Sequence, residues 1–222
     1  MHASDPYPLS AVIVVAHPDD ETLWAGGEIL AHPDWEWFII SLCRASDVDR
    51  SVRFRRALEQ LNATGCMADL DDGPEQAPLP SELIRQTILS LLPERPLNCI
   101  YTHGPEGEYT RHRRHEEVSR AVHEAWTGGQ IITEQLRMFA YEDGQRSYYP
   151  RAIESAHIQR SLPEALWQRK HAIIVDVYGF SPGSWEAQTT PREEAFWSFD
   201  SPAGCAEWIR RKGNSNESAR AV

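Results

Sequence analysis

Short apolar runs rich in β-branched residues alternate along the chain with longer stretches whose apolar positions recur three and four apart. That alternation predicts strands and helices in turn. Leu9–Ala16, Trp35–Cys43, Cys66–Leu70, Leu97–Thr102 and Gln135–Tyr141 read as strands. Thr22–Ala31, Asp49–Ala63, residues 80–92 and Arg111–Trp126 read as the helices between them. In Asp49–Ala63 the apolar face is Phe54, Ala57, Leu58 and Leu61; in Arg111–Trp126 it is Val118, Ala121, Val122 and Ala125. Such an order predicts an α/β protein: a mainly parallel sheet between two helix layers, Rossmann-like.

After Tyr149-Pro150 the pattern changes. Leu162–Tyr178 contains Ile173-Ile174-Val175, which taken alone suits a strand, but Pro163-Glu164 and the long glycine-free run favour a helix. Ser181–Ala206, rich in Trp, Pro and Gly, reads as an ordered loop packed on the domain, and the polar stretch Gly213–Val222 as a disordered tail. The chain is therefore expected to form a single domain over residues 1–212, with its motifs in 10–125 and a C-terminal segment at 150–212.

Composition narrows the class. A chain of 222 residues, 41% hydrophobic and 25% charged, has the make-up of one globular domain. The net charge of −11 argues against nucleic acid as a partner. No run approaches the ~20 apolar residues of a membrane span. Met1-His2-Ala3-Ser4-Asp5-Pro6 lacks the basic start and apolar core of a secretory leader. Cys43, Cys66, Cys99 and Cys205 are scattered without CxxC spacing and read as reduced thiols of a cytoplasmic protein.

The chemistry is concentrated at Val12–Glu21, where a β-branched run stops at Ala16-His17-Pro18-Asp19-Asp20-Glu21. Ligand sites of open α/β sheets lie at such strand tips. His17 and Asp20 can face one ion, while Asp19 between them stays free for proton transfer. Glu108-Tyr109-Thr110-Arg111-His112-Arg113-Arg114-His115 offers a second pair of imidazoles. Together these residues suggest a His-Asp-His zinc site with a spare carboxylate as base. Glu21 reads as the acceptor behind a ligand histidine or as a helix cap. Asp69, Asp71 and Asp72 read as a turn, and Trp24 as core-facing.

The two motifs resemble those of the PIG-L/LmbE-type zinc-dependent de-N-acetylases. Ala-His-Pro-Asp-Asp-Glu stands intact at Ala16–Glu21, followed by Gly26-Gly27, and a Gly/Glu/Tyr loop precedes His112 and His115. The resemblance implies the LmbE-like fold and one zinc per chain on His17, Asp20 and His115, other divalent metals being alternatives. It implies Asp19 as general base, His112 as oxyanion donor or acid, and Arg50 and Tyr109 on the substrate side. There are departures. One residue is added between Tyr109 and His112, Pro-Asp/Glu is replaced by Arg113-Arg114, and Arg53 replaces a Glu.

The expected reaction is hydrolysis of an N-acetyl group from an N-acetylglucosamine-like sugar or conjugate by zinc-activated water. The alternatives are an amidase on a thiol-glycoside or secondary-metabolite amide, and a non-catalytic sugar- or nucleotide-binding module. The absence of GxGxxG after the first strand counts against dinucleotide binding. Arg113 and Arg114 beside the histidines suggest an anionic group on the substrate. Trp185, Trp197 and Trp208 suggest a cover over the cleft, and the resemblance adds a homo-oligomer as an option.

Overall fold

A computed structural model describes the backbone over residues 8–220. Five parallel strands, β1 (Ser10–Val15), β2 (Glu36–Cys43), β3 (Thr64–Leu70), β4 (Leu97–Thr102) and β5 (Thr133–Phe139), form most of one sheet. The hairpin β6 (Tyr141–Glu142) and β7 (Arg151–Ala152) stands apart. Two antiparallel strands, β8 (Ile158–Ser161) and β9 (Glu193–Phe199), complete the main sheet in the order β3-β2-β1-β4-β5-β9-β8.

β1 is buried on both faces, as its unbroken apolar run requires of a central parallel strand. Its alternate residues serve two cores. Ala11, Ile13 and Val15 pack with Leu23, Trp24 and Ile29 of α1 (Asp20–Ala31) and Phe54 and Leu58 of α2 (Val48–Leu61). Val12 and Val14 pack on the other face with Ile84 and Ile88 of α3 (Ser81–Leu91) and Val118, Val122 and Trp126 of α4 (Arg113–Thr127). The expected three-layer arrangement is thus observed.

The C-terminal region differs from expectation in two places. Ser181–Ala206 is not a loop: it contains the short helix α6 (Trp185–Thr189), all of β9 and the start of α7. β9 pairs Phe196 through Phe199 with β5, and its Ala195, Phe196 and Trp197 are buried. The stretch from Gly213 continues as helix α7 (Pro202–Arg220) as far as Arg220; residues 221–222, like residues 1–7 with His2 among them, lie outside the described residues. Once a first turn is anchored by packing, here through Cys205 and Trp208, each added helical residue costs little. Leu162–Tyr178 is helical as expected: α5 (Glu164–Ala172) runs into a π-helical turn, Ile173–Val177.

The chain leaves β1 toward β2 and β3 on one side and returns to β4 on the other. That reversal opens a crevice beyond the C-terminal ends of β1 and β4. His17 follows β1 and His103 follows β4, so both stand in it.

Candidate metal centre and active site

The turn from β1 into α1 sets the first donors. The His17 backbone N–H donates to Oδ2 of Asp20 at 2.9 Å, curling the loop so that both side chains face the same point. Asp19 adopts φ 119°, a strained backbone for a residue with a side chain, costing roughly 1–3 kcal/mol. Its N–H is held by Oε2 of Glu21 at 3.0 Å. Oε1 of Glu21 accepts the hydroxyls of Thr22 and Tyr178, each at 2.6 Å. Glu21 therefore pins the strained turn and accepts from no histidine among these bonds.

α4 supplies the other imidazoles, with His112 at its N-cap and His115 in its first turn. Nδ1 of His17 lies 3.1 Å from Oδ2 of Asp20 and 3.2 Å from Nε2 of His115, and that nitrogen lies 3.3 Å from the same Asp20 oxygen. A tetrahedral ion with bonds of ~2.0–2.1 Å would set its donors about 3.3 Å apart. The three side chains thus already form one face of such a site. A ring nitrogen of His112 comes within 4.8 Å of one on His17 and one on His115.

The imidazoles are buttressed from behind. Oε2 of Glu108, fully buried, accepts from Nδ1 of His115 at 2.6 Å and of His103 at 2.9 Å, while its Oε1 accepts the Gly104 N–H at 2.8 Å. Burial would raise this carboxyl, but the paired His103 and His115 hold it down at about 2. Nε2 of His103 accepts the Ala16 N–H at 2.9 Å, so its lone pair is committed to the backbone. Trp24 is core-facing as expected, and its indole N–H also donates to Oδ1 of Asp20 at 3.1 Å. On the far side of His17, Nε2 meets Oδ1 of Asp72 at 3.1 Å.

Electrostatics separates the two adjacent carboxyls. Asp20 is held well below the usual range: burial opposes ionisation, but His115, His17 and His103 outweigh it. Asp19 is pushed well above that range by burial and by the charge of Asp20, against the pull of Arg50 and His17. One carboxylate thus suits a cation, and the other holds a proton more readily than an ordinary carboxylate. Burial, with the charges of His115 and His17, lowers His112 to about 3, so it is a neutral imidazole at neutral pH.

These groups border a cavity of about 170 Å³ whose walls include Asp19, Arg50, Tyr109, His112 and Trp185. A larger cleft of about 950 Å³ near Tyr149, Trp167 and Arg192 contains none of the motif residues, so chemistry and not size marks the site. Arg50 reaches the cavity, with Nη1 3.4 Å from Oδ2 of Asp19, and Tyr109 packs edge-on to Trp185 at 4.7 Å. Arg113 and Arg114 do not reach it. His112 and His115 turn toward the crevice, and residues one or two further along a helix point elsewhere. Arg113 is exposed, whereas Arg114 is buried against Glu117 and the Ala77 carbonyl. Trp197 and Trp208 pack on each other, ring centroids 4.9 Å apart, in the core around β9; only Trp185 of the three is at the rim.

The sequence matches the model of the GlcNAc-PI de-N-acetylase (PIG-L) family over residues 12–126, more than half of the chain. The chain belongs to the PIG-L family. Its fold is also that of N,N'-diacetylchitobiose deacetylase from Pyrococcus horikoshii, at a TM-score of 0.66 and 14% identity, covering 86% of this chain and 84% of that one. A deacetylase of the teicoplanin biosynthetic pathway aligns at a TM-score of 0.62 and 14% identity, covering 86% and 98%. The 4-carboxy-2-hydroxymuconate hydratase of Pseudomonas putida aligns at 0.57 and 16%, covering 86% and 95%. A hydratase on the same fold shows that architecture alone does not choose the reaction.

In this PIG-L chain, sequence reasoning missed His103, Glu108 and Asp72 as parts of the site. The first two lie in the loop before α4, where a His and a Glu five residues apart could have been a signal. Asp72 belongs to a turn that sequence alone reads as solvated. No helix among the described residues is long and apolar enough to cross a membrane.

Proposed function

We propose that this PIG-L chain is a metal-dependent N-deacetylase of a small N-acetylated sugar or sugar conjugate. The observation that carries the reading is the triangle of His17, Asp20 and His115 donors, 3.1–3.3 Å on a side, with the Asp19 carboxyl beside it on the wall of an open cavity. His17, Asp20 and His115 would hold a single zinc ion. When bound, zinc polarises an acyl carbonyl and acidifies water.

The protein's own residues supply the rest. Asp19 takes a proton from water on the open side of the cavity and returns one to the leaving amine, a role its raised pKa suits. His112, neutral because burial and neighbouring imidazoles disfavour its charge, donates a hydrogen bond to the oxygen that becomes negative. Tyr109 and Trp185 form an aromatic wall suited to the apolar face of a sugar ring. The chitobiose and teicoplanin-pathway deacetylases that share the fold support an acetylated sugar or conjugate as substrate.

Acetate release from N-acetylglucosamine, diacetylchitobiose and a set of their conjugates, by zinc-loaded wild type and by Asp19→Asn, tests the reading. Release by the wild type and its loss in the variant is the expected result. Release of another carboxylic acid from a different amide would favour the amidase. Tight sugar binding without turnover or stoichiometric zinc would favour the binding module.

A further inference from the structure

The acidic turn after β3 holds a group that bears on the metal site from an unexpected direction. Asp72 lies far from both motifs in sequence, yet its side chain is only 8% exposed and its Oδ1 sits 3.1 Å from Nε2 of His17. We propose that Asp72 is a positioning residue that fixes the His17 ring with Nδ1 aimed at the metal. The inference rests on the metal-site reading above.

The donor count supports this. An ionised carboxylate has about four acceptor positions. In Asp72, Oδ1 accepts from His17 and, at 2.9 Å, from the side-chain amide of Gln76; Oδ2 accepts the fork of Arg44 through Nε at 3.0 Å and Nη2 at 2.8 Å. All four positions are taken, so Asp72 borders the cavity without a free acceptor for substrate.

Both ring nitrogens of His17 face carboxylates, Nε2 toward Asp72 and Nδ1 toward Asp20, so the metal-free ring is favoured in its charged form. With a cation on the Nδ1 side, the bond to Asp72 would keep the remaining proton on Nε2 and turn the Nδ1 lone pair to the metal. Glu108 does the same for His115 from the opposite side. Each metal-facing imidazole is thus locked by a carboxylate from a different loop, an arrangement that orients ligand histidines and raises their basicity. The two locks differ in exposure. Glu108 is fully buried, whereas Asp72 is steadied by Arg44, whose side chain is 47% exposed and whose backbone turns through φ 70° just after β2. Surface residues therefore help hold one ligand.

Zn2+ affinity by chelator competition, and the absorption spectrum of the Co2+-loaded protein, test this on wild type, Asp72→Ala, Asp72→Asn and Arg44→Ala. Asp72→Ala should weaken Zn2+ binding roughly 10- to 100-fold and change the cobalt spectrum. Asp72→Asn keeps one acceptor oxygen and should recover part of the loss, and Arg44→Ala should weaken binding by less than Asp72→Ala. If Asp72→Ala does not fold, the Asn and Arg44 variants carry the test. Variants with wild-type Zn2+ affinity and spectrum would overturn the inference, including when they melt at lower temperature, since that is a structural role only. Wild type that binds no Zn2+ would instead overturn the metal reading itself.

Discussion

Nη1 of Arg50 stands 3.4 Å from Oδ2 of Asp19, while its guanidinium lies over the Phe180 ring, 4.8 Å from the centroid. The first contact ties α2 to the strained turn after β1, and the second keeps the arginine at the mouth of the cavity. Burial and Asp20 raise Asp19, and Arg50 opposes them. Removing the positive charge should therefore raise Asp19 further, so that more alkaline conditions are needed to ionise it. Arg50→Met is expected to move the acid limb of the kcat/KM profile to higher pH. A profile whose acid limb stays in place would separate Arg50 from the base.

Metal uptake should release protons. In the metal-free protein burial would lower His115, but Asp20 and Glu108 raise it from 6.5 to about 10. Its protonated form therefore stabilises the metal-free fold fully below 6.5, and that contribution is lost as pH rises through about 10. A metal needs the neutral imidazole, so apparent Zn2+ affinity should climb with pH across that window. Calorimetric titrations in buffers of different ionisation enthalpy would report the protons released at pH 7.5. Affinity independent of pH, with no proton release, would count against His115 as a ligand.

Trp185 projects from α6 beside Tyr109 at the rim of the cavity. If it stacks on a sugar ring, Trp185→Ala removes roughly 0.5–1.5 kcal/mol of aromatic contact. KM should then rise roughly two- to tenfold while kcat changes little. A fall in kcat at constant KM would place the residue's effect on the chemistry.

The buried pair of Lys170 and Glu194 is 2.7 Å apart, both side chains essentially inaccessible. Glu194 also accepts the backbone N–H groups of Gly27 at 2.7 Å and Glu28 at 2.6 Å, fastening α1 to β9. Lys170→Ala leaves that carboxylate buried without its cation, a change that typically costs about 3–5 kcal/mol. Urea unfolding should show the loss with an unchanged m-value. A shift under about 1 kcal/mol would show that the backbone donors suffice to hold Glu194.

How far the sequence could be read depended on where the partners of each residue lie. His17, Asp19 and Asp20 were legible because strand, turn and helix start are contiguous, so local pattern and chemistry coincide. β9 was not. Glu193-Glu194 opens it like a solvated turn, and only Gly27, Glu28 and Lys170, distant in sequence, make burial of Glu194 tolerable. Arg113 and Arg114 misled for the opposite reason. Proximity to His112 along the chain suggested a shared site, but helical rotation turns them away from it.

The sequence by itself determined the alternating strand and helix pattern, the family motifs and the residue types able to hold a cation. These are encoded in neighbouring positions, through periodicity of burial and the short spacing of donors. The tertiary structure alone decided which groups stand behind the imidazoles, why Glu21 serves the turn and not a histidine, and that Arg44 and Arg50 border the cavity while Arg113 and Arg114 do not. Those outcomes depend on loops from β2, β3 and β4 converging at one end of the sheet. Hydrogen-bond partners there are chosen by distances in space, which the order of residues along the chain does not state.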